Sequence, residues 1–96
     1  MEFKALDPLL HVPVRLAVIS ILVQETEADF NRLKDRTTAT AGNLSVQLTR
    51  LREAGYIEIQ KQFKDNYPLT LCRITAKGQQ AFQAYREALQ SYMPDR

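Results

Sequence analysis

Residues 40–50 hold the densest run of side chains with recognisable chemistry: Thr40, Gly42, Asn43, Ser45, Val46, Thr49 and Arg50. They interleave with Leu44, Leu48 and Leu51, whose i, i+4, i+7 spacing makes one apolar stripe of a helix over about 41–54. At about 100° per residue, the opposite face holds Gly42, Val46, Thr49 and Arg50, flanked by Asn43 and Ser45. That face is polar but uncharged until Arg50, a mix suited to the edges of nucleic-acid bases. Asn43 can pair bidentately with adenine, and the Ser45 and Thr49 hydroxyls can donate or accept. Val46 can touch a thymine methyl, and Arg50 can take guanine or phosphate. Gly42 admits a close backbone approach, and Thr40 is a good N-cap for a helix whose N-terminus favours a phosphate. The competing reading is an ordinary polar face turned to water.

Little else in the chain could do covalent or metal chemistry. The single cysteine, Cys72, excludes an internal disulfide and a cysteine zinc cluster. Together with the single histidine, His11, it cannot build a usual zinc site. No nucleophile–base pair, metal cluster or phosphate-cradling loop is found, so no enzyme, metal or cofactor is expected. Strand alternation puts Cys72 on the face of Ile74, which reads as buried packing in preference to a redox sensor. His11, at a helix entry, could cap that helix, cross an interface or sense pH.

The elements around the candidate face follow from residue spacing. Pro13 can open a helix, and residues 14–23 then run apolar on almost every side, the mark of a helix buried on more than one face. Residues 28–36 read as a second helix with Phe30 and Leu33 on one side. Gly55 stands where a left-handed residue closes the third helix. Residues 56–63 alternate, with Ile57, Ile59 and Phe63 on one half-buried face. Residues 64–68 are a turn cluster, and residues 69–74 are a second strand, completing a hairpin. Thr75 caps a last helix over about 76–93, in which Gly78 is tolerated. Its Phe82, Tyr85, Leu89 and Tyr92 form a seam suited to another helix. Helix, helix, helix, hairpin, helix, with two short helices joined by about four residues, describes a winged helix-turn-helix. The class is α+β, mostly α.

The chain has 96 residues, which allows one domain over 1–96. The nine uncharged residues from Leu16 to Gln24 fall far short of the ~20 needed to span a bilayer. The N-terminus lacks a basic region followed by an apolar run, so no membrane partner is expected and a reducing cytoplasm is. The overall charge is +2, but it is unevenly spread. Residues 1–30 carry two Lys/Arg against five Asp/Glu, whereas residues 31–75 carry eight against four. A basic middle hints at a polyanionic partner. Lys61, Lys64 and Arg73 flank the hairpin turn, where they could hold a DNA backbone without reading sequence, or merely blunt a solvated edge. Arg32, Lys34 and Arg36 could also meet phosphate.

Order and spacing together carry a family resemblance. The residues are Leu6-Asp7-Pro8, His11, Pro13-Val14-Arg15, Asp29-Phe30 and Leu33. They continue through Thr40-Ala41-Gly42-Asn43-Leu44-Ser45, Leu48, Leu51, Glu53-Ala54-Gly55-Tyr56-Ile57 and Ile74-Thr75-Ala76-Lys77-Gly78. Over nearly its whole length the chain resembles the small stand-alone winged-helix transcriptional regulators related to the MarR and ArsR families. The resemblance implies a prokaryotic, homodimeric, sequence-specific regulator of double-stranded DNA, cytoplasmic and nucleoid-associated when bound. The helix over 41–54 would enter the major groove and the hairpin would be the wing. The chain departs from many relatives at Leu69 and Leu71, where they carry basic residues; this pair could instead pack on another surface.

A physical motive for dimerisation stands beside that resemblance. The first helix is apolar all round, Phe3, Leu6, Leu9 and Leu10 need burial, and Phe82, Tyr85, Leu89 and Tyr92 form a seam. One small chain would struggle to cover all of it. Residues 1–12 and about 76–93 are therefore expected at the dimer interface, presenting half-sites about 34–36 Å apart or a multiple. The alternative function is a protein–protein docking module without DNA binding. No convergent polar cluster marks a pocket for a small-molecule effector.

Overall fold

Pro13 opens α1 (Pro13–Glu25), which buries Val18, Ile19, Ile21 and Leu22. In the computed structural model, which describes residues 2–94, the helix stops at Thr26. This β-branched residue sits at φ +72°, a sparsely populated region. Thr26 reverses the chain in one step. Its N–H donates to the Leu22 carbonyl (2.8 Å), and its own carbonyl accepts from the Ile74 N–H (3.1 Å).

That reversal lays down a strand where sequence spacing gives none. β1 (Glu27–Asp29) pairs antiparallel with β3 (Tyr67–Ile74), Ala28 lying opposite Cys72. β3 also pairs with β2 (Ile57–Lys64), so the hairpin is part of a three-stranded sheet ordered β1-β3-β2. Ala28 belongs to this strand and not to the second helix. That helix, α2 (Phe30–Thr37), starts two residues later, capped by Asp29, whose Oδ1 accepts from the Arg32 N–H at 2.9 Å.

α3 (Ala41–Glu53) is capped by Thr40, whose Oγ1 accepts from the Asn43 N–H at 3.1 Å. Such a cap contributes about 1 kcal/mol. Leu44, Leu48 and Leu51 are its buried stripe, as their spacing requires. Gly55, at φ +82°, closes the helix. Its N–H reaches the Arg52 carbonyl (2.9 Å), and the Tyr56 N–H reaches the Leu51 carbonyl (3.0 Å), the bond pair of a Schellman motif.

The hairpin turn is only Asp65-Asn66, since Lys64 lies opposite Tyr67. Both turn residues have positive φ, 53° and 67°, the requirement of a type I′ turn whose twist matches the strands. Phe63 differs from its expected half-buried place: it is 80% exposed. Its strand face is the core face, but at that register the hairpin has left the helices behind. The molecule is 53 Å long and only 25 × 22 Å across. Pro68, opposite Phe63, lies beyond the reach of β1, where a missing N–H on the free edge costs nothing.

α4 (Ala76–Gln90) is capped by Thr75, whose Oγ1 accepts from the Gly78 N–H at 3.0 Å, and ends three residues before the expected 93. Its end binds the start of the chain. Tyr92 Oη donates to the Lys4 carbonyl (2.9 Å), the Lys4 N–H donates to Ser91 Oγ (2.9 Å), and the Phe3 and Tyr92 rings lie 5.2 Å apart. Cys72 is fully buried in the core. Burial first, and the Asp29 carboxylate second, push its thiol up to about 11, which disfavours the reactive thiolate.

Gly78 is not merely tolerated. A Cβ there would stand 2.2 Å from the Tyr56 carbonyl oxygen and 3.0 Å from Ile74 Cγ1, and the oxygen belongs to backbone that cannot swing aside. Gly78→Ala should destabilise the fold by about 1–3 kcal/mol, lowering Tm by roughly 4–8 °C for each kcal/mol. Gly42→Ala, with nothing within 4 Å of its added Cβ, should leave Tm unchanged or slightly higher. Circular-dichroism melts of the two variants check this; equal Tm values would contradict it.

Candidate nucleic-acid interface

The buried leucines of α3 turn one face of the helix outward. Gly42, Asn43, Ser45, Val46 and Arg50 are exposed and Thr49 is half-buried. Val46 shows half its surface, 52%, with no core to cover it. The Thr49 hydroxyl donates back to the Ser45 carbonyl (3.0 Å), which leaves its lone pairs outward. Thr40, at the start of α3, is also exposed. These are the positions that the leucine spacing turns away from the core.

Asn43 is held from behind. Arg15 on α1 donates through Nε to the Leu9 carbonyl (2.6 Å) and through Nη1 to Gln47 Oε1 (2.8 Å). Gln47 Nε2 in turn donates to Asn43 Oδ1 (3.0 Å). The relay fixes which way the Asn43 amide points and leaves its NH₂ free to donate outward.

Between α3 and the sheet lies a groove of about 350 Å³, lined by Phe30, Ser45, Leu48, Thr49, Arg52, Ile59, Lys61 and Thr70. Lys61 faces α3 across it. Arg52 enters the same groove and was not among the expected site residues. The sequence carries a signal for it: Ser45, Thr49 and Arg52 are spaced i, i+4, i+7, the leucine stripe moved one residue along. Among the described residues neither Arg52 nor Lys61 is in an ion pair.

The other expected cations divide differently. Lys64 sits at the turn, opposite Tyr67 and on the strand face away from α3. Arg73 lies at the foot of the hairpin, not beside the turn. It pairs with Glu27 across the β1–β3 ladder, Nη2 to Oε2 at 2.7 Å, and faces Glu58 on the other side. Arg32 and Arg36 of α2 both grip Glu25 at the end of α1, at 2.7 and 2.9 Å. Their hydrogen bonds and charge, Arg32's first, hold the Glu25 carboxyl below its ordinary range. Leu69 and Leu71 are half-buried on the outer sheet face.

The residues expected at a dimer interface also divide. Leu10 and Tyr85 are inside the chain's own core, 0% and 4% exposed, and Tyr85 Oη shares a 2.9 Å hydrogen bond with His11 Nδ1. Leu6, Leu9, Phe82 and Leu89 are half-buried against that core. Phe3 and Tyr92 stack on each other and stay exposed.

A three-helix core, a cap-initiated helix presented outward and a protruding hairpin define a winged helix. The chain belongs to the winged helix DNA-binding domain family, whose model matches residues 14–93. An uncharacterised protein of Methanocaldococcus jannaschii is 35% identical over 72 residues, 75% of this chain and 78% of that one. A transcriptional regulator homologue from Pyrococcus horikoshii OT3 is similar in structure, with a TM-score of 0.82 at 26% identity over 88% of this chain and 83% of that one. The chain is also similar to the reduced, DNA-bound form of AbfR (TM-score 0.75, 26% identity), over 84% of this chain but only 56% of that longer one. Family and fold are those of small winged-helix transcriptional regulators and not of an enzyme.

The pairing pattern sorts the cations by what they can give to a polyanion. Lys61→Ala and Arg52→Ala should each lower the slope of log K against log salt for duplex DNA by about one. Arg73→Ala, whose charge already faces Glu27, should change that slope little. Fluorescence anisotropy over a salt series checks this, and an Arg73 effect as large as that of Lys61 would contradict it.

Proposed function

We propose that the chain is a homodimeric, sequence-specific regulator of double-stranded DNA that lays α3 in the major groove and its hairpin wing along the neighbouring backbone. One observation carries the reading. The outward face of α3 and the Arg52–Lys61 groove open side by side, while Arg32, Arg36 and Arg73 are tied to carboxylates elsewhere. Arg50, Arg52 and Lys61, in no ion pair among the described residues, thus stand on or beside that face.

The division of labour follows from the chemistry. The relay-held Asn43 offers its amide to an adenine edge, and Arg50 offers its fork to guanine. Val46 supplies an apolar contact for a thymine methyl. Thr40 and Gly42 bring the α3 N-terminus against a phosphate. Lys61 and Arg52 hold backbone phosphates, with Lys64 adding charge near the turn. The protein acts in the cytoplasm, on the nucleoid, without a cofactor.

Dimerisation rests on surface the fold leaves uncovered. Val23 on α1 is 37% exposed, and Phe3, Tyr92 and Met93 are 41–53% exposed around the joined chain ends. Half-buried Leu16 and Ala17 line an open apolar cleft of about 520 Å³ between α1 and Tyr85 of α4. Leu6, Leu9, Phe82 and Leu89, half-buried against the core, add apolar surface for the second-copy contact. Twofold pairing gives α3 two copies for a pseudo-palindromic site.

Asn43→Ala and Arg50→Ala should weaken binding to a duplex from the upstream region of its own gene by roughly 5- to 150-fold, and weaken binding to a random duplex far less. Equal losses on both duplexes would remove the base-reading role. No binding of the wild type to either duplex at low salt would favour a protein-docking module. Sedimentation equilibrium at micromolar concentration should return twice the 11.0 kDa of one chain; a monomer mass would contradict the dimer.

A further inference from the structure

β1 stops pairing with β3 at the Asp29–Leu71 position. Beyond it the hairpin continues as two strands, and its end carries the two most exposed large apolar side chains among the described residues, Phe63 at 80% and Tyr67 at 74%. Phe63 lies opposite Pro68, also exposed. The fold does not need this ring: Phe63 is absent from the core and from what packs on it. The turn is already specified by Asp65-Asn66.

Strand alternation gives the ring a direction. Ile57, Ile59, Lys61 and Phe63 share one face of β2. Ile57 enters the core, Ile59 packs against it, and Lys61 lines the groove opposite Ser45, Thr49 and Arg52. Phe63 is the next position outward on that face, about 7 Å beyond Lys61. In B-DNA the strand that separates the major from the minor groove is a row of phosphates, and the Arg52–Lys61 groove has the charge to receive it. With α3 in the major groove and that strand beside Lys61, the next feature Phe63 meets is the minor groove, about 6 Å wide. Asp65, at the extreme tip, would be repelled by phosphates, so the hairpin enters by its Phe63–Pro68 side and not end-on.

We propose that Phe63, backed by Pro68, is an apolar wedge that enters the minor groove next to the α3 site and partly unstacks a base step there. The inference rests on the DNA-binding reading above and adds a second element of recognition to it. Phenylalanine and proline are among the side chains that open minor-groove steps in this way. Such a wedge selects by deformability, so it favours the flexible TA and CA/TG steps over stiff A-tracts. Specificity would then extend to a flank where no base edge is read.

The test uses the full chain and a duplex enriched from a random-sequence pool by the wild-type protein. Permanganate, which oxidises unstacked thymines, should mark a thymine at one flank of each protected half-site. Phe63→Ala should abolish that reactivity and weaken binding roughly tenfold, with the salt slope unchanged because no charge is removed. Phe63→Leu, still apolar, should retain most of both. Lys61→Ala should lower the salt slope and keep the reactive thymine. The ring is exposed, so these variants keep the fold. Unchanged affinity for Phe63→Ala, with no reactive thymine under the wild type, would overturn the wedge and leave the DNA-binding reading standing. Unchanged DNA affinity together with loss of self-association in Phe63→Ala would assign the tip to a second copy and overturn it too. Failure of the wild type to enrich any duplex would overturn both readings together.

Discussion

The whole interface depends on the junction where α3 gives way to β2 and α4 returns across it. Gly55 turns the chain with a positive φ that other residues adopt only with strain. Thr75 Oγ1 donates to the Gly55 carbonyl (2.6 Å), and the Thr75 N–H donates to the Tyr56 carbonyl (3.0 Å). α4 then passes so close to that carbonyl that position 78 has room only for hydrogen. The Tyr56 hydroxyl donates to Asp7 Oδ2 (2.5 Å), and Lys77 lies over its ring at 5.8 Å. Burial, and secondarily the Asp7 carboxylate, push that phenol up to about 12, so it stays a donor at ordinary pH. α3, the wing, the last helix and the N-terminal segment all meet here, and the angle between α3 and the wing has little freedom left.

A fixed angle matters because duplex DNA has a fixed geometry. A helix and a hairpin can hold neighbouring grooves at once only if their separation suits the strand between them. The α3–sheet groove is the space left by that junction, and its two cations face each other across it. Electrostatics sharpens the arrangement. Net charge alone, +2, would give weak steering. Glu25 and Glu27 engage Arg32, Arg36 and Arg73 on the flanks, whereas Arg50 and Arg52 on α3 and Lys61 and Lys64 on the wing are in no ion pair among the described residues. The acidic beginning of the chain thus lowers the positive charge of α2 and of the foot of the hairpin, and leaves that of α3 in place.

Much of this was legible in the residues. The leucine stripe, the Thr40 and Thr75 caps and Gly55 are local signals whose partners lie within a few residues, and each formed the element its spacing implies; the turn cluster over 64–68 is also local, but pairing of Lys64 with Tyr67 narrows it to Asp65-Asn66. What stayed hidden is what only tertiary structure decides. Glu27-Ala28-Asp29 has no strand pattern of its own and becomes one by pairing with β3. Phe63 obeys the alternation that puts it on the core face, but no local rule says where the core ends. Gly78 looks like a permissible helix residue until a distant carbonyl lies against it. Arg73 reads as a free cation until β1 brings Glu27 beside it. Arg52 is the exception: its spacing from Ser45 and Thr49 is itself a local signal, one residue round the helix from the leucine stripe. Leu10 and Tyr85 are large apolar residues whose burial the sequence assigns to a second copy, but the chain's own core covers both.

The most direct measurement is an amide chemical-shift titration of the labelled protein with a short duplex that it retards. If α3 and the wing act as one rigid surface on adjacent grooves, the largest shifts fall on residues 40–52 and 61–68 and develop together at one affinity. Shifts concentrated on the exposed faces of α1 and α4, with Asn43, Arg50, Arg52 and Lys61 unmoved, would contradict that surface as the site of DNA binding.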